Sequence, residues 1–212
     1  MSIFAIGDLH LPGGDKKPMD VFGSHWEHHF ERICADWRSR VKPEDIVLIP
    51  GDISWAMQLG DALSDLRDIA KLPGTILLLR GNHDFWWSSL SQLRACLPEN
   101  MHAVQNDAFD AGTCVFCGTR GWTIPLGQNA TAQDEKLYRR EAMRLEMSLK
   151  DAARMADGRP IFAMMHYPPL LPETLRQGTE FTRLLRKAVR LRPSARAERA
   201  ARLQRELPRG AL

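Results

Sequence analysis

The sequence contains no long hydrophobic run. Its longest uninterrupted aliphatic stretch is about Ile76–Leu79, far short of the roughly 20 residues that a transmembrane helix needs. The amino terminus carries no basic residue ahead of its apolar positions, and Asp8 interrupts the stretch before an export-type hydrophobic region has formed. We therefore expect a soluble protein in the cytoplasm, without a membrane partner.

Cysteine is scarce. The 212 residues include Cys34, Cys96, Cys114 and Cys117, which are too few for a disulfide framework in a chain of this length. Cys114 and Cys117 form a Cys-x-x-Cys pair, but no second pair and no nearby histidine completes a four-ligand zinc set. Because residues three apart on a strand point to opposite faces, we expect two buried thiols that act as small apolar side chains.

Acidic residues are few near the carboxyl terminus. Residues 186–212 hold nine basic side chains and two acidic ones, which leaves 20 basic and 24 acidic side chains, a formal charge of −4, in residues 1–185. The same stretch is rich in Arg and Ala, and Pro193 and Pro208 interrupt any long helix. We predict one globular domain over residues 1–185 and a basic tail over 186–212 that is non-native or else disordered or helical.

Short apolar runs alternate with helical patterns along the domain. Strands are predicted at Ser2–Ile6, Ile46–Ile49, Thr75–Leu79 and Ile161–Met165, and helices at Trp26–Val41, Asp61–Leu72, Ser89–Cys96 and Thr131–Ala156. Thr131 and Asp134 supply a capping-box start for the longest helix. The alternation predicts an α/β protein with a largely parallel sheet covered on both faces. A turn at 109–113 predicts a second, more antiparallel sheet.

Polar residues with metal-ligand chemistry follow each of the four predicted strands. The strands run, in chain order, into Gly7-Asp8-Leu9-His10, Gly51-Asp52, Gly81-Asn82-His83-Asp84 and His166-Tyr167-Pro168-Pro169. Ligands of open α/β sheets bind at the carboxyl ends of the strands. One such motif is a weak signal, whereas four in order indicate a metal site. Oxygen and nitrogen ligands without thiolate favour Mn²⁺, with Fe and Zn as alternatives.

These motifs resemble those of the calcineurin-like metallophosphoesterase superfamily. That family's pattern runs Asp-x-His, Gly-Asp, Gly-Asn-His-Asp or Glu, a later histidine and a final Gly-His-x-His. The first four motifs stand between residues 8 and 166. The resemblance implies a four-layer α/β/β/α sandwich with mixed sheets and an enzyme that hydrolyses a phosphate mono- or diester with two divalent cations.

The resemblance also assigns roles to single residues. It implies that Asp8 and His10 bind one cation, that Asn82 and His166 bind the other, and that Asp52 bridges them. His83 would be the acid or transition-state donor, oriented by Asp84. Two dications would contribute a charge of about +4, and two aspartates and a bridging hydroxide would remove about three of these charges. The site would stay positive and attract phosphate.

Several further residues have both a functional and a structural interpretation. Arg120 is a candidate clamp for a phosphate oxygen, although an isolated arginine more often forms a surface ion pair. Trp86 and Trp87 follow the Gly-Asn-His-Asp motif and are expected to pack in the core. We expect His25, His28 and His29 to lie at solvated positions on a helix. Tight turns in the ligand loops are expected at Gly7, Gly51 and Gly81.

The final Gly-His-x-His motif is missing, because no histidine follows His166. We hypothesise that a frameshift or truncation replaced the original end, which leaves the carboxyl-terminal part of the fold incomplete. Translation of the other two reading frames of the gene tests this hypothesis.

Two other functions stay open. The first is a catalytically impaired protein of the same fold, because each cation keeps about three protein ligands. The second, and the less favoured, is nucleic-acid binding by the tail, which offers positive charge but no aromatic residues for stacking. The substrate, a small phosphate ester or a phosphorylated macromolecule, is not readable from the sequence.

Overall fold

A computed structural model describes residues 1–13, 19–126 and 130–190 of the chain. The predicted tail lies outside the described residues from position 191 onward. The strands of the described part are β1 (Ile3–Ala5), β2 (Ile46–Ile49), β3 (Thr75–Leu78), β4 (Met101–Ala103), β5 (Ala108–Asp110), β6 (Val115–Thr119) and β7 (Ile161–Met165). The helices are α1 (His29–Arg40), α2 (Leu59–Ala70), α3 (Leu90–Cys96), α4 (Ala132–Ala156) and α5 (Glu180–Arg190).

The strands form two sheets. The first sheet has the order β1-β2-β3-β4, and all its pairs are parallel. In the second sheet, of order β5-β6-β7, β5 and β6 pair as an antiparallel hairpin and β6 and β7 pair in parallel. The predicted combination of a parallel sheet and a second, more antiparallel sheet is therefore confirmed.

The alternation of side chains along the strands builds three packed interfaces. Val47 and Ile49 of β2 face a core shared with α1, α2 and α3, whereas Ile46 faces a core between the two sheets. In β6, Phe116 points into the same intersheet core, and Val115 points to the core beneath α4 and α5. Because a strand turns successive side chains to opposite faces, the layers run helix, sheet, sheet, helix. The predicted four-layer α/β/β/α sandwich is confirmed.

The two cysteines of the Cys-x-x-Cys pair lie on opposite sides of the second sheet. Cys114 packs in the core between the sheets, and Cys117 packs in the core beneath α4. Burial raises the pKa of the Cys117 thiol to about 12. A thiol that stays protonated is a poor metal ligand and nucleophile, so both residues act as small core side chains, as expected.

The predicted helices form with small shifts at their ends. The helix predicted over 26–41 begins only at His29, because a short 3₁₀ turn occupies Ser24–Trp26. The helix predicted over 131–156 forms as α4, and its capping box between Thr131 and Asp134 is present. None of the described helices is both long enough and apolar enough to cross a membrane.

Ser148 of α4 connects the helix layer to the second sheet. Its buried hydroxyl donates to the carbonyl of Asp107 at 2.5 Å and accepts the N–H of Gly118 in β6 at 2.7 Å. Gly118 leaves no space for a side chain, because a Cβ there would lie 2.2 Å from the carbonyl oxygen of Met164 in β7. The hydrogen bonds of Ser148 and the close packing of Gly118 on β7 fix the positions of β6 and β7. The carboxyl ends of these strands lead to Arg120 and His166.

We expect Ser148→Ala to lower the free energy of unfolding by about 1–3 kcal/mol, because it leaves a buried N–H and a buried carbonyl without partners. Ser39→Ala is the matched control, since the Ser39 hydroxyl makes only an exposed hydrogen bond to Asp36 within its own helix; its effect should stay within about 0.5 kcal/mol. Urea unfolding of both variants measures the difference, and equal stabilities would show that the contact does not stabilise the fold.

Candidate metal centre

The loops that follow β1 and β2 are joined by backbone hydrogen bonds. The N–H of Asp8 donates to the carbonyl of Gly51 at 3.1 Å, and the N–H of His10 donates to the carbonyl of Asp52 at 3.0 Å. Leu11 continues this pairing with Ile53 at 2.9 Å. Residues more than forty positions apart in the sequence are thus held side by side at the carboxyl edge of the first sheet.

A first group of ligand atoms comes from Asp8, His10 and Asp52. One nitrogen or oxygen atom from each lies within 4.8 Å of those of the other two. Nε2 of His10 is 3.8 Å from Oδ1 of Asp8, and the buried Nδ1 of His10 has no hydrogen-bond partner among the described residues. The imidazole is therefore free to use its lone pair on a cation.

Burial lowers the pKa of His10, against the opposing charges of Asp52 and Asp8. A lowered pKa favours the neutral imidazole, which is the form that binds metals. The ring stacks on Trp55, with 4.8 Å between ring centroids and an interplanar angle of 21°. Trp55 was not among the predicted site residues; its place three positions after Asp52, in the loop that carries a ligand, is the only sequence signal for it.

A second group comes from Asp52, Asn82 and His166. Nε2 of His166 lies 2.7 Å from Oδ1 of Asn82 and 3.6 Å from Oδ1 of Asp52. Nδ1 of the same ring lies 3.1 Å from the carbonyl oxygen of Pro50. Both contacts are to oxygens that only accept, so a ring proton on Nδ1 would satisfy Pro50 and leave the lone pair of Nε2, with the two side-chain oxygens, for a cation.

The backbone at the ligand positions is strained. Asp8, His10 and Asp52 have φ values of 57°, 46° and 52°, in the left-handed region that non-glycine residues rarely adopt. Such residues cost on the order of 1–3 kcal/mol each and persist where the surrounding structure over-determines them. Here the backbone bonds between the two loops fix the conformation, which turns three ligand side chains toward one another.

Two of the three predicted turn glycines are required by this geometry. Gly51 has a φ of 114°, and a Cβ there would lie 2.6 Å from Cα of Gly81. A Cβ on Gly81 would lie 2.1 Å from Oδ1 of Asp52. Gly7 has neither a positive φ nor a close contact, since a Cβ there would only touch Pro50 at 3.4 Å, so it is an ordinary glycine.

Asp84 does not orient His83, contrary to the prediction. Its fully buried carboxylate accepts hydrogen bonds from four backbone N–H groups and from one indole, and none comes from the His83 ring. The donors are Asp52 (2.9 Å), Ile53 (2.8 Å), Ser54 (3.3 Å), Gly81 (2.7 Å) and Trp86 Nε1 (3.1 Å). Burial raises the pKa of Asp84, whereas the backbone N–H groups act in the opposite direction. Asp84 thus braces the loops after β2 and β3 against each other.

His83 lies at the rim of the first ligand group. Its backbone N–H donates to Oδ1 of Asp52 at 2.9 Å, and its half-buried ring lies 4.7 Å from the ring of Trp55 and 5.8 Å from that of His10. Aromatic contacts, rather than a carboxylate, position this imidazole. The ring is close to the ligands without being part of either ligand group.

The remaining candidates are placed as follows. Arg120 lies behind the second ligand group, with its guanidinium 4.8 Å from the ring centroid of Trp122 and 3.9 Å from Oε1 of Glu141. Trp86 and Trp87 are buried in the core, as expected. His29 is not merely solvated: Nε2 of its ring lies 2.9 Å from the carbonyl of Leu9, so it supports the loop that carries Asp8 and His10.

The donor chemistry of the two groups fits divalent cations. The lone pairs of His166, Asn82 and Asp52 converge, and a cation would satisfy all of them together. The imidazole of His10 and two carboxylates offer the same chemistry on the other side. Hard oxygen and borderline nitrogen donors without thiolate suit Mn²⁺, Fe or Zn.

This chain was compared with known protein families and solved structures. A family model for calcineurin-like phosphoesterases matches residues 1–192. The crystal structure of a protein of unknown function, AQ665 from Aquifex aeolicus, is similar at 16% sequence identity and a TM-score of 0.41, over 78% of this chain and 90% of that one. No curated protein matches the chain at a significant level.

We expect Asp84→Ala to lower the free energy of unfolding by at least about 3 kcal/mol, since it leaves several buried N–H donors without an acceptor. Asp68→Ala is the matched control, because Asp68 pairs only with Lys71 on an exposed surface, and an exposed pair contributes about 1 kcal/mol at most. Calorimetric melting of the two variants compares them. A loss for Asp84→Ala as small as that of the control would contradict the bracing role.

Proposed function

The chain belongs to the calcineurin-like phosphoesterase family, and from that premise we propose that it hydrolyses a phosphate ester with two divalent cations at this centre. The observation that carries the proposal is the convergence of two ligand groups on one shared carboxylate, Asp52. Asp8 and His10 stand on one side of it, and Asn82 and His166 on the other. Shared carboxylates of this kind suit a pair of cations that act on one phosphate.

The proposal assigns the first cation to Asp8 and His10 and the second to Asn82 and His166, with Asp52 between them. When bound, the cations would supply Lewis-acid polarisation of the phosphate and activation of a water molecule. Mn²⁺ is the favoured metal, with Fe and Zn as alternatives. The substrate is a small phosphate ester or a phosphorylated macromolecule, and the expected location is the cytoplasm.

His83 is proposed as the proton donor to the leaving oxygen. Its ring sits beside His10 and Trp55 at the rim of the first ligand group, so it can face a bound ester without competing for a cation. Its backbone N–H holds Oδ1 of Asp52, which couples the position of the donor to that of the shared carboxylate. A positioned acid of this kind contributes about 10²- to 10⁴-fold to a rate.

Hydrolysis of nitrophenyl mono- and diesters, with and without added Mn²⁺, tests the function. We expect Mn²⁺-dependent hydrolysis that chelation abolishes and that falls by about 10²-fold or more in His83→Ala and Asp52→Asn. His28→Ala is the matched control, because His28 is exposed at the start of α1 and should leave the rate unchanged. Hydrolysis that survives chelation and both substitutions would refute the mechanism.

We expect Gly81→Ala to weaken Mn²⁺ binding by about tenfold or more, because the added Cβ would displace the Asp52 carboxylate. Gly60→Ala is the matched control, since a Cβ at that position meets no atom within 4 Å. Calorimetric titration with Mn²⁺ measures both affinities. Binding without hydrolysis in the wild type would instead support the impaired-enzyme alternative, and equal binding by both variants would remove Asp52 from the ligand set.

A further inference from the structure

A polar cavity of about 290 Å³ lies where the loops after β3 and β6 meet α4, and we refer to it as the arginine cavity. Its basic lining consists of Arg80, Arg120, Arg140 and Arg144, and Glu141 is its acidic residue. Since one water molecule occupies roughly 30 Å³ in the liquid, the volume has room for a tetrahedral anion. None of the metal ligands lines it.

The charges of the arginine cavity do not balance. Four arginines against one glutamate leave a formal charge of +3. Glu141 is 1% exposed and is already satisfied at short range, by Nη1 of Arg144 at 2.6 Å and by the hydroxyl of Thr119 at 2.6 Å. Arg144 pairs with Glu141 at short range and Nη2 of Arg120 lies 3.9 Å from the same carboxylate, so one carboxylate has to balance four arginines.

Arg80 is the residue that most needs a ligand. Its Nε is buried and has no hydrogen-bond partner within the described part of the chain. Because a buried donor without an acceptor is costly, an anion that accepts from Nε of Arg80 would relieve the cost.

The arginine cavity adjoins the metal centre. Arg80 directly precedes Gly81 and Asn82, and the carbonyl of Arg120 accepts the N–H of Tyr167, the residue after His166, at 2.9 Å. Each site is thus one or two residues away from the other along the loops after β3 and β7, so a single molecule of modest length can reach both.

We propose that the arginine cavity binds a second phosphate group of the substrate, so that the preferred substrates carry two phosphate groups. The inference rests on the proposed function, which places the group to be hydrolysed at the metal centre. Arginine forks match the oxygens of a phosphate in pairs, and Arg80 and Arg120 approach the cavity from the carboxyl ends of both sheets. The exposed Arg140 extends the positive field outward.

Titration of metal-free protein with inorganic phosphate tests the arginine cavity by itself. Without cations the metal centre presents the carboxylates of Asp8 and Asp52 and repels phosphate, so binding reports on the arginines. We expect Arg80→Met to weaken phosphate binding by about tenfold or more. The substitution keeps the apolar stem and removes no hydrogen bond, so the fold should survive; Arg120→Met provides a second variant.

Arg139→Ala is the matched control for this titration. Arg139 lies on α4 next to Arg140, but its side chain is exposed and paired with Glu135, so phosphate binding should not change. Equal binding by the wild type and Arg80→Met, or no binding by the wild type, would overturn the arginine cavity as an anion site.

Hydrolysis in the presence of Mn²⁺ tests the substrate class. We expect the wild type to prefer adenosine 3′,5′-bisphosphate over adenosine 5′-monophosphate in kcat/KM by about tenfold or more, and Arg80→Met to lose that preference while Arg139→Ala keeps it. Phosphate binding without such a preference would overturn the substrate assignment. Absence of hydrolysis for both compounds would count against the proposed function, and the phosphate titration would still decide the binding site.

Discussion

The arrangement of the metal centre depends on one buried carboxylate that need not touch a cation. Asp84 accepts N–H groups from the loops after β2 and β3 together, so the positions of Asp52 and Asn82 are set by the same acceptor. A desolvated charge is tolerated there because every close neighbour donates to it. Asp8 and His10 join this unit through backbone bonds to the loop after β2, and His166 joins it through Pro50.

The strained backbone lies at the candidate ligands, whereas the packing that compensates for the strain lies in the strands beneath them. The left-handed backbone at Asp8, His10 and Asp52 is unfavourable for each residue alone. Beneath the loops, β2 and β3 are buried on both faces and carry the compensating hydrophobic packing. Glycine at positions 51 and 81 removes the side chains that would otherwise fill the same space. Asp8, His10, Asp52 and Asn82 are therefore held by the loops of the first sheet, and His166 by the end of β7, without help from the cations they would bind.

Features that depend on interactions between residues close in sequence, such as strands and helix starts, were predictable from local sequence patterns. Short continuous apolar runs identified β2 and β7, the capping box identified the start of α4, and the order of polar residues at strand ends identified side chains that converge as candidate ligands. Contacts across large sequence separations escaped prediction: Asp84 was assigned to His83, its neighbour in sequence, because nothing local indicates the N–H groups of residues 52–54. The strand Met101–Ala103 was missed because three residues carry too little periodicity to be recognised.

The separation of charge between the two sites bears on how an anionic substrate is held. Residues 1–185 carry a formal charge of −4, and the carboxylates of Asp8, Asp52 and Asp84 lie at the metal centre, so the domain does not attract phosphate through its total charge. At physiological ionic strength such fields fade within about 8 Å. Attraction must therefore come from local groups, and Arg80 and Arg120 stand beside the ligand loops, at the carboxyl ends of β3 and β6. A substrate with one phosphate would meet this positive field only at its edge, whereas a substrate with two would occupy both sites.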